Sequence, residues 1–267
     1  MATRVCFLSD TDEFSEKSLE QVSLQLGGMH ADFLLAHVVD SGLSGDLPSI
    51  VHATENVLID MAMRILPKDL FYGVSVEAGD VLETLPALVR EEGCSLVAIP
   101  GRPGETLIPL VRVLPVPQLL LRNEPGRPTD PLFSHLVIPI DLTFTRTYAI
   151  LTQLRELLDS VGRPERITLL HCVRLEEPGT SQDLVNSASE AMERVLADVL
   201  TWDIPAESVI LSGDPTVECP PKIAGLSPSL LVVGLSRMGD LLQVVLGSTG
   251  EALIEGTSCP ALILPVN

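Results

Sequence analysis

Between Leu230 and Thr249 the chain reads LLVVGLSRMGDLLQVVLGST, and here residue types and spacing could do chemistry. An apolar run that stops at Gly234 reads as a buried parallel strand delivering backbone to a ligand. Further on, Gly247-Ser248-Thr249 precedes the helix-prone GEALIEG, so unpaired backbone N–H groups gather at a helix start. Such a start favours anions, because these donors and the helix dipole both point at the ligand. The chemistry expected here is anion capture, with phosphate the natural candidate.

Other chemistries lack their residues. A phosphate loop of the Gly-Lys-(Ser/Thr) kind is missing, since Lys17, Lys68 and Lys222 all lie outside glycine loops. No Gly-x-Gly-x-x-Gly follows either opening strand, so the dinucleotide fingerprint is absent too. Gly234-Leu-Ser-Arg-Met-Gly239 has one residue too many for a nucleophile elbow, which leaves Ser236 a loop hydroxyl. His171 and Cys172 are strand neighbours that point to opposite faces and so cannot share a metal. His171 and His37 read as core histidines at strand ends. Asp80 and Asp214 each follow a glycine at a strand end and read as turn residues capping the next helix. Glu91-Glu92 and Glu176-Glu177 read as solvated charges.

The elements that must position the glycine loop occur twice. Val5–Asp10 and Leu136–Asp141 are opening strands ending in Asp, followed by helical stretches at Glu13–Leu26 and Thr145–Val161. Strands around Phe33–Val38 and Thr168–Cys172 come next, then long helices at Ile50–Leu66 and Gln182–Leu200. Val74–Asp80 pairs with Val209–Asp214, Ser95–Ile99 with Ser229–Val233, and the halves close on Pro117–Leu121 and Pro260–Leu264. Strands alternating with helices at this spacing predict βαβ units and parallel sheets. The stretch Asn123–Pro131, with three prolines and a glycine, reads as a linker. The expected organisation is a first domain at 1–123, a linker at 124–133 and a second domain at 134–267.

Composition agrees. Of 267 residues, 46% are apolar but only 3% aromatic, so the core is built from Leu, Val, Ile and Ala, as in covered parallel sheets. The formal charge of −19, with 14 Arg and 3 Lys, opposes nucleic acid or an anionic membrane surface as partner. Five cysteines without a CxxC pair suggest a reducing compartment rather than a disulfide framework. No signal peptide and no apolar run of membrane-spanning length (about 18 residues) is evident, so a cytoplasmic location is expected.

Together these residues resemble the universal stress protein family in a tandem, two-domain form. The resemblance implies α/β architecture: two open, five-stranded, mainly parallel sheets of the adenine-nucleotide-hydrolase-like kind, packed as a pseudo-dimer, with a further homodimer left open. Nucleotide-binding members carry Gly-x2-Gly-x9-Gly-(Ser/Thr), and here Gly234 and Gly247-Ser248 stand at that spacing, with Thr249 following. Arg237 replaces the second glycine, which in the family lets backbone approach the phosphates. It either pairs with a phosphate as a bidentate donor or fills its place. The resemblance further implies Asp141 near the adenosine moiety and Cys172 at the adenine contact. Asp141 could equally cap a helix, with Thr143 and Thr145 close behind, and Cys172 could be a small buried hydrophobe.

The first half lacks the loop. Gly79 to Pro100 and Gly213 to Gly234 both span 21 residues, but Pro100 to Pro117 spans 17 where Gly234 to Pro260 spans 26. Gly101-Arg-Pro-Gly104 keeps part of the pattern, and Glu105 falls opposite Ser248, where it would repel phosphate. The first half is therefore expected not to bind a nucleoside triphosphate and to serve as packing partner. The expected function is a nucleotide-responsive binding protein taking ATP, with Mg²⁺, or a related adenine nucleotide in the second half. The alternative is an interaction or structural protein with degenerate pockets. A weak ATP hydrolase is the third reading, for which no base or lysine is visible.

Overall fold

A computed structural model describes all residues except 1–2, 30, 43–44, 102–104, 123–130, 175–180, 238–243, 246 and 267. At residues 29, 181, 236, 237, 244 and 245 it describes the backbone alone. The chain divides into two compact units, one within residues 1–127 and the other within 128–267.

The first unit runs β1 (Arg4–Leu8), α1 (Glu13–Leu26), β2 (Asp32–Val39), α2 (Leu47–Ile65), β3 (Phe71–Ala78), α3 (Val81–Glu91), β4 (Leu96–Pro100), α4 (Ile108–Val113) and β5 (Gln118–Leu121). Its strands lie in the order β3-β2-β1-β4-β5 and every pairing is parallel. The second unit runs β6 (His135–Pro139), α5 (Phe144–Val161), β7 (Arg166–Val173), α6 (Ser181–Leu200), β8 (Ala206–Ser212), α7 (Pro215–Leu226), β9 (Leu230–Arg237), β10 (Val244–Val245), α8 (Ser248–Gly256) and β11 (Ala261–Val266). Its parallel strands lie in the order β8-β7-β6-β9-β11, with β10 antiparallel to β9.

Each half is thus an open α/β sheet whose order reverses between its first and fourth strands. Right-handed crossovers place the helices after β6 and β7 on one face and those after β8 and β9 on the other. Both faces of the central strands are covered. Leu136, Val137 and Ile138 of β6, and Leu230, Leu231 and Val232 of β9, have no exposed surface. That double burial explains the continuous apolar runs and the near-absence of strict alternation. The helices owe their starts to short polar residues at strand ends. Asp12, Asp80 and Asp214 cap α1, α3 and α7, accepting from the backbone N–H of Ser15, Leu82 and Thr216.

Two details differ from the sequence reading. The strand expected to stop at Gly234 continues to Arg237, because β10 folds back on it: Val244 pairs with Arg237 and Val245 with Ser236. Asp141 caps no helix. Thr143 holds the N-cap position of α5, and Asp141 precedes it by two residues in a tight turn, with Leu142 at a φ of 60°.

Candidate functional site

In an open parallel sheet, ligands bind beyond the carboxyl ends of the strands, at the crevice where the strand order reverses. In the second unit that crevice opens between β6 and β9, which pair through Leu136–Leu230 and Val137–Leu231. Three expected site residues reach this edge from adjacent strands: Asp141 just past β6, Cys172 near the end of β7 and Gly234 within β9.

Gly247 is the N-cap of α8, with φ −68° and ψ 157°, and its carbonyl accepts from Glu251 N–H at 3.1 Å. Ser248 and Thr249 form the first turn, Ser248 exposed and Thr249 half-buried. Gly247 offers no side chain to cap the opening N–H groups, and among the described residues a Cβ built on it would meet nothing within 4 Å. Neither backbone conformation nor crowding by the described residues demands glycine here. An open, uncapped helix start of this kind leaves room and donors for an anion.

Gly234 has a different reason to be glycine. A Cβ there would overlap Ile150 Cδ1 and lie 2.6 Å from Cγ1, so any side chain at position 234 would force Ile150 of α5 to move. Nothing local to Gly234 signals Ile150, which lies far away along the chain. The Arg237 side chain lies outside the described residues; its backbone pairs with Val244.

Asp141 is already engaged. Its Oδ1 accepts from Thr143 N–H at 2.9 Å, and its Oδ2 from Arg146 Nη1 at 2.5 Å. Arg146 was not singled out in the sequence, although its place in the first turn of α5, five residues after Asp141, was a usable signal. The pair is half exposed, so solvent screens it. Cys172 points its thiol at the Gly213 carbonyl, 3.7 Å away, towards the start of α7. There it neighbours the thiol of Cys219. Burial pushes both thiols up, Cys219 to about 12 with the Cys172 thiol and Glu218 adding to the shift. His171 Nδ1 donates to the Ile140 carbonyl at 2.8 Å, as His37 Nδ1 does to Ser9 at 2.5 Å, so both histidines tie one strand end to the next.

At the other end of the second sheet, His135 is buried against Thr168. Its Nε2 lies 3.0 Å from Thr168 Oγ1, which donates to Glu207 Oε1 at 3.1 Å. Thr168 therefore accepts from His135. Desolvation, helped by Arg166, holds the His135 pKa below its usual value.

The first unit carries a cavity of about 280 Å³ at the corresponding crevice, where the carboxyl ends of β1, β2 and β4 meet the start of α3. Asp10, His37, Glu105 and Thr106 supply its polar lining. Among the described residues, no group of three or more His, Cys, Asp or Glu is placed to hold a metal ion, and no helix is long and apolar enough to cross a membrane.

Residues 133–265 match the model of the universal stress protein family, and through this domain the chain belongs to that family. No curated protein matches the sequence. Among solved structures, a universal stress protein from Archaeoglobus fulgidus DSM 4304 is similar at 16% identity, covering 99% of this chain and 96% of its own, with a TM-score of 0.68. A functionally unknown protein from Pseudomonas aeruginosa PAO1 is similar at 14% identity, covering 99% and 93%, with a TM-score of 0.66. These likenesses span both units and concern the fold.

Proposed function

We propose that the second unit binds an adenine nucleotide, ATP or a relative of it, and that the protein is a cytoplasmic, nucleotide-responsive binding module. The observation that carries this reading is the amino end of α8, at the sheet's carboxyl edge: its N-cap Gly247 makes no side-chain cap, and none of the described residues fills the space where a side chain there would stand. Backbone N–H groups at Ser248 and Thr249, with their hydroxyls, would hold phosphate oxygens. Asp141 would accept from ribose hydroxyls, exchanging its link to Arg146. The adenine contact at Cys172 would fall to its backbone, since its thiol is turned to Gly213. Gly234 supports the β9–α5 packing beneath the site and, at the end of the strand, Arg237 would meet a phosphate. Mg²⁺ would accompany a triphosphate.

A second reading, an interaction protein that takes no nucleotide, is favoured by two observations. Gly234 is accounted for by Ile150, and Asp141 by Arg146, without any ligand. Calorimetric titration with ATP and ADP separates the two. Saturable heat supports nucleotide binding, whereas no heat at about 1 mM nucleotide, the weak edge of specific affinity, defeats it.

A further inference from the structure

We propose that Cys94 and Cys6 of the first unit form an oxidant-sensitive pair: a hydroperoxide oxidises Cys94, and Cys6 then closes a disulfide with it. This is independent of the nucleotide reading for the second unit. The backbone brings the two residues together. Ser95 N–H donates to the Arg4 carbonyl at 2.8 Å, and two residues further on Val97 pairs in register with Cys6. Cys94 thus enters beside the start of β1 from the turn that ends α3, where its own N–H donates to the Val89 carbonyl at 2.9 Å. Arg4 and Cys6, two apart on a strand, point to the same side of the sheet. The Cys6 thiol hydrogen-bonds to that of Cys94.

Their surroundings divide the roles. Cys6 has no exposed surface and Cys94 keeps 5%, so solvent reaches Cys94 first. The bond from Cys6 does most to hold the Cys94 pKa below its ordinary range; burial opposes it, Arg4 lowers it further, and the Glu92 carboxylate opposes in turn. Arg4 is held by the Glu92 carbonyl and by its carboxylate, the latter at 3.6 Å, and lies 3.6 Å over the Tyr72 ring. Its buried Nε has no hydrogen-bond partner among the described residues, so the guanidinium keeps a donor in reserve for an anion formed beside it. The Cys6 thiol is pushed up by its bond to Cys94 and by burial, so the proton stays on Cys6 and the charge forms on Cys94. A thiolate near a guanidinium, with a second thiol in contact, is the arrangement of a sensor cysteine and its resolving partner. Cys172 and Cys219 make the contrast, since burial raises both and Glu218 raises them further.

The chemistry balances with the peroxide as sole oxidant. The Cys94 thiolate sulfur attacks one peroxide oxygen, the O–O bond breaks, and the leaving hydroxide takes up the proton that Cys94 released. Cys94 is then a sulfenic acid, and its two electrons have gone to the peroxide. The Cys6 sulfur next attacks the Cys94 sulfur, the S–O bond breaks, and the hydroxide leaves as water with the Cys6 proton. Two thiols and one hydrogen peroxide thus give one disulfide and two waters. Transient disulfides of this redox-sensing kind are the ones that reducing compartments hold.

The test treats the full, reduced chain with hydrogen peroxide and follows its cysteines by peptide mass spectrometry. A Cys6–Cys94 disulfide should form at least about tenfold faster than any oxidation at Cys172 or Cys219, and dithiothreitol should reverse it. In Cys6→Ala, dimedone should trap a sulfenic acid on Cys94. Arg4→Met, with thermal unfolding unchanged, should slow the oxidation severalfold, and Arg4→Lys should keep most of the native rate. The native chain alone can defeat the proposal. Cys94 left reduced while Cys172 or Cys219 is oxidised, or a sulfinic acid building up on Cys94 without a disulfide, would overturn it. So would an Arg4→Met protein, folded as the native one, that oxidises at the native rate.

Discussion

Ile150 of α5 occupies the space where any side chain at position 234 of β9 would have to stand. A glycine at the end of a strand in a nucleotide-type sheet invites a ligand explanation, yet this one is fixed by a helix packing against the strand beneath the site. Gly247 is the reverse case, a glycine that none of the described residues around it requires. The two glycines share a motif and answer to different causes.

Gly234→Ala should therefore destabilise the protein by about 1–3 kcal/mol, the usual cost of overpacking a core. Shortening the obstruction with Ile150→Ala in the same chain should recover part of that loss. Urea unfolding of the two single variants and the double variant measures the coupling. Additive losses would show that the two positions do not compete for one space.

Buried, neutral His135 makes stability depend on pH. Its folded pKa lies below the unfolded value, so the unfolded chain binds the extra proton first and stability rises with pH in that interval. The contribution is fully present above the unfolded value of about 6.5, is lost as pH falls below it, and stops changing beneath the folded pKa. Urea midpoints between neutral and mildly acidic pH should fall more steeply for the native sequence than for His135→Gln. Equal slopes would contradict the burial of a neutral ring.

Much of this was legible in the sequence. The two sets of strands, their succession along the chain, and the capping roles of Asp80 and Asp214 follow from apolar runs ending in short polar residues, a purely local signal. The site was less legible because its causes are not local. Ile150 meets Gly234 only once α5 has docked on β9. The Asp141–Arg146 pair depends on where the turn at Leu142 aims α5. β9 runs on to Arg237 only because β10 returns to pair with it, although Leu235-Ser-Arg read as loop. The first-unit cavity is not legible because its lining comes from segments far apart along the chain, around Leu8, His37, Val81, Ile99 and Leu107.

Cys172 and Cys219 should react slowly with a thiol reagent at neutral pH. A thiol pushed up to about 12 holds roughly one three-thousandth of the thiolate of an ordinary one near 8.5. Alkylation rates followed by peptide mass spectrometry should place Cys219 far below a cysteine in a short peptide. Saturating ATP should slow Cys172 further, since its backbone would lie against the base. Rapid labelling of Cys219 in the folded protein would contradict its environment.

Arg146→Ala should change stability by less than about 1 kcal/mol, because half-exposed ion pairs contribute little. Released from Arg146, Asp141 should accept a ribose hydroxyl more readily, so ATP should bind at least as well. Asp141→Ala should weaken ATP about tenfold, the loss of a hydrogen bond to a charged group. If Asp141→Ala leaves affinity intact, the carboxylate serves only the turn before α5.

The central claim is that α8 begins at a phosphate site, and Gly247→Asp tests it most directly. Aspartate is a better N-cap than glycine and its charge suits a helix start, so the folded protein should gain a few tenths of a kcal/mol. The same carboxylate would stand where phosphate is to bind. Calorimetry with ATP on both proteins should show binding by the native sequence and a loss of about a hundredfold or more in the variant, with unfolding temperature equal or higher. Undiminished ATP binding by the Gly247→Asp protein would contradict the account.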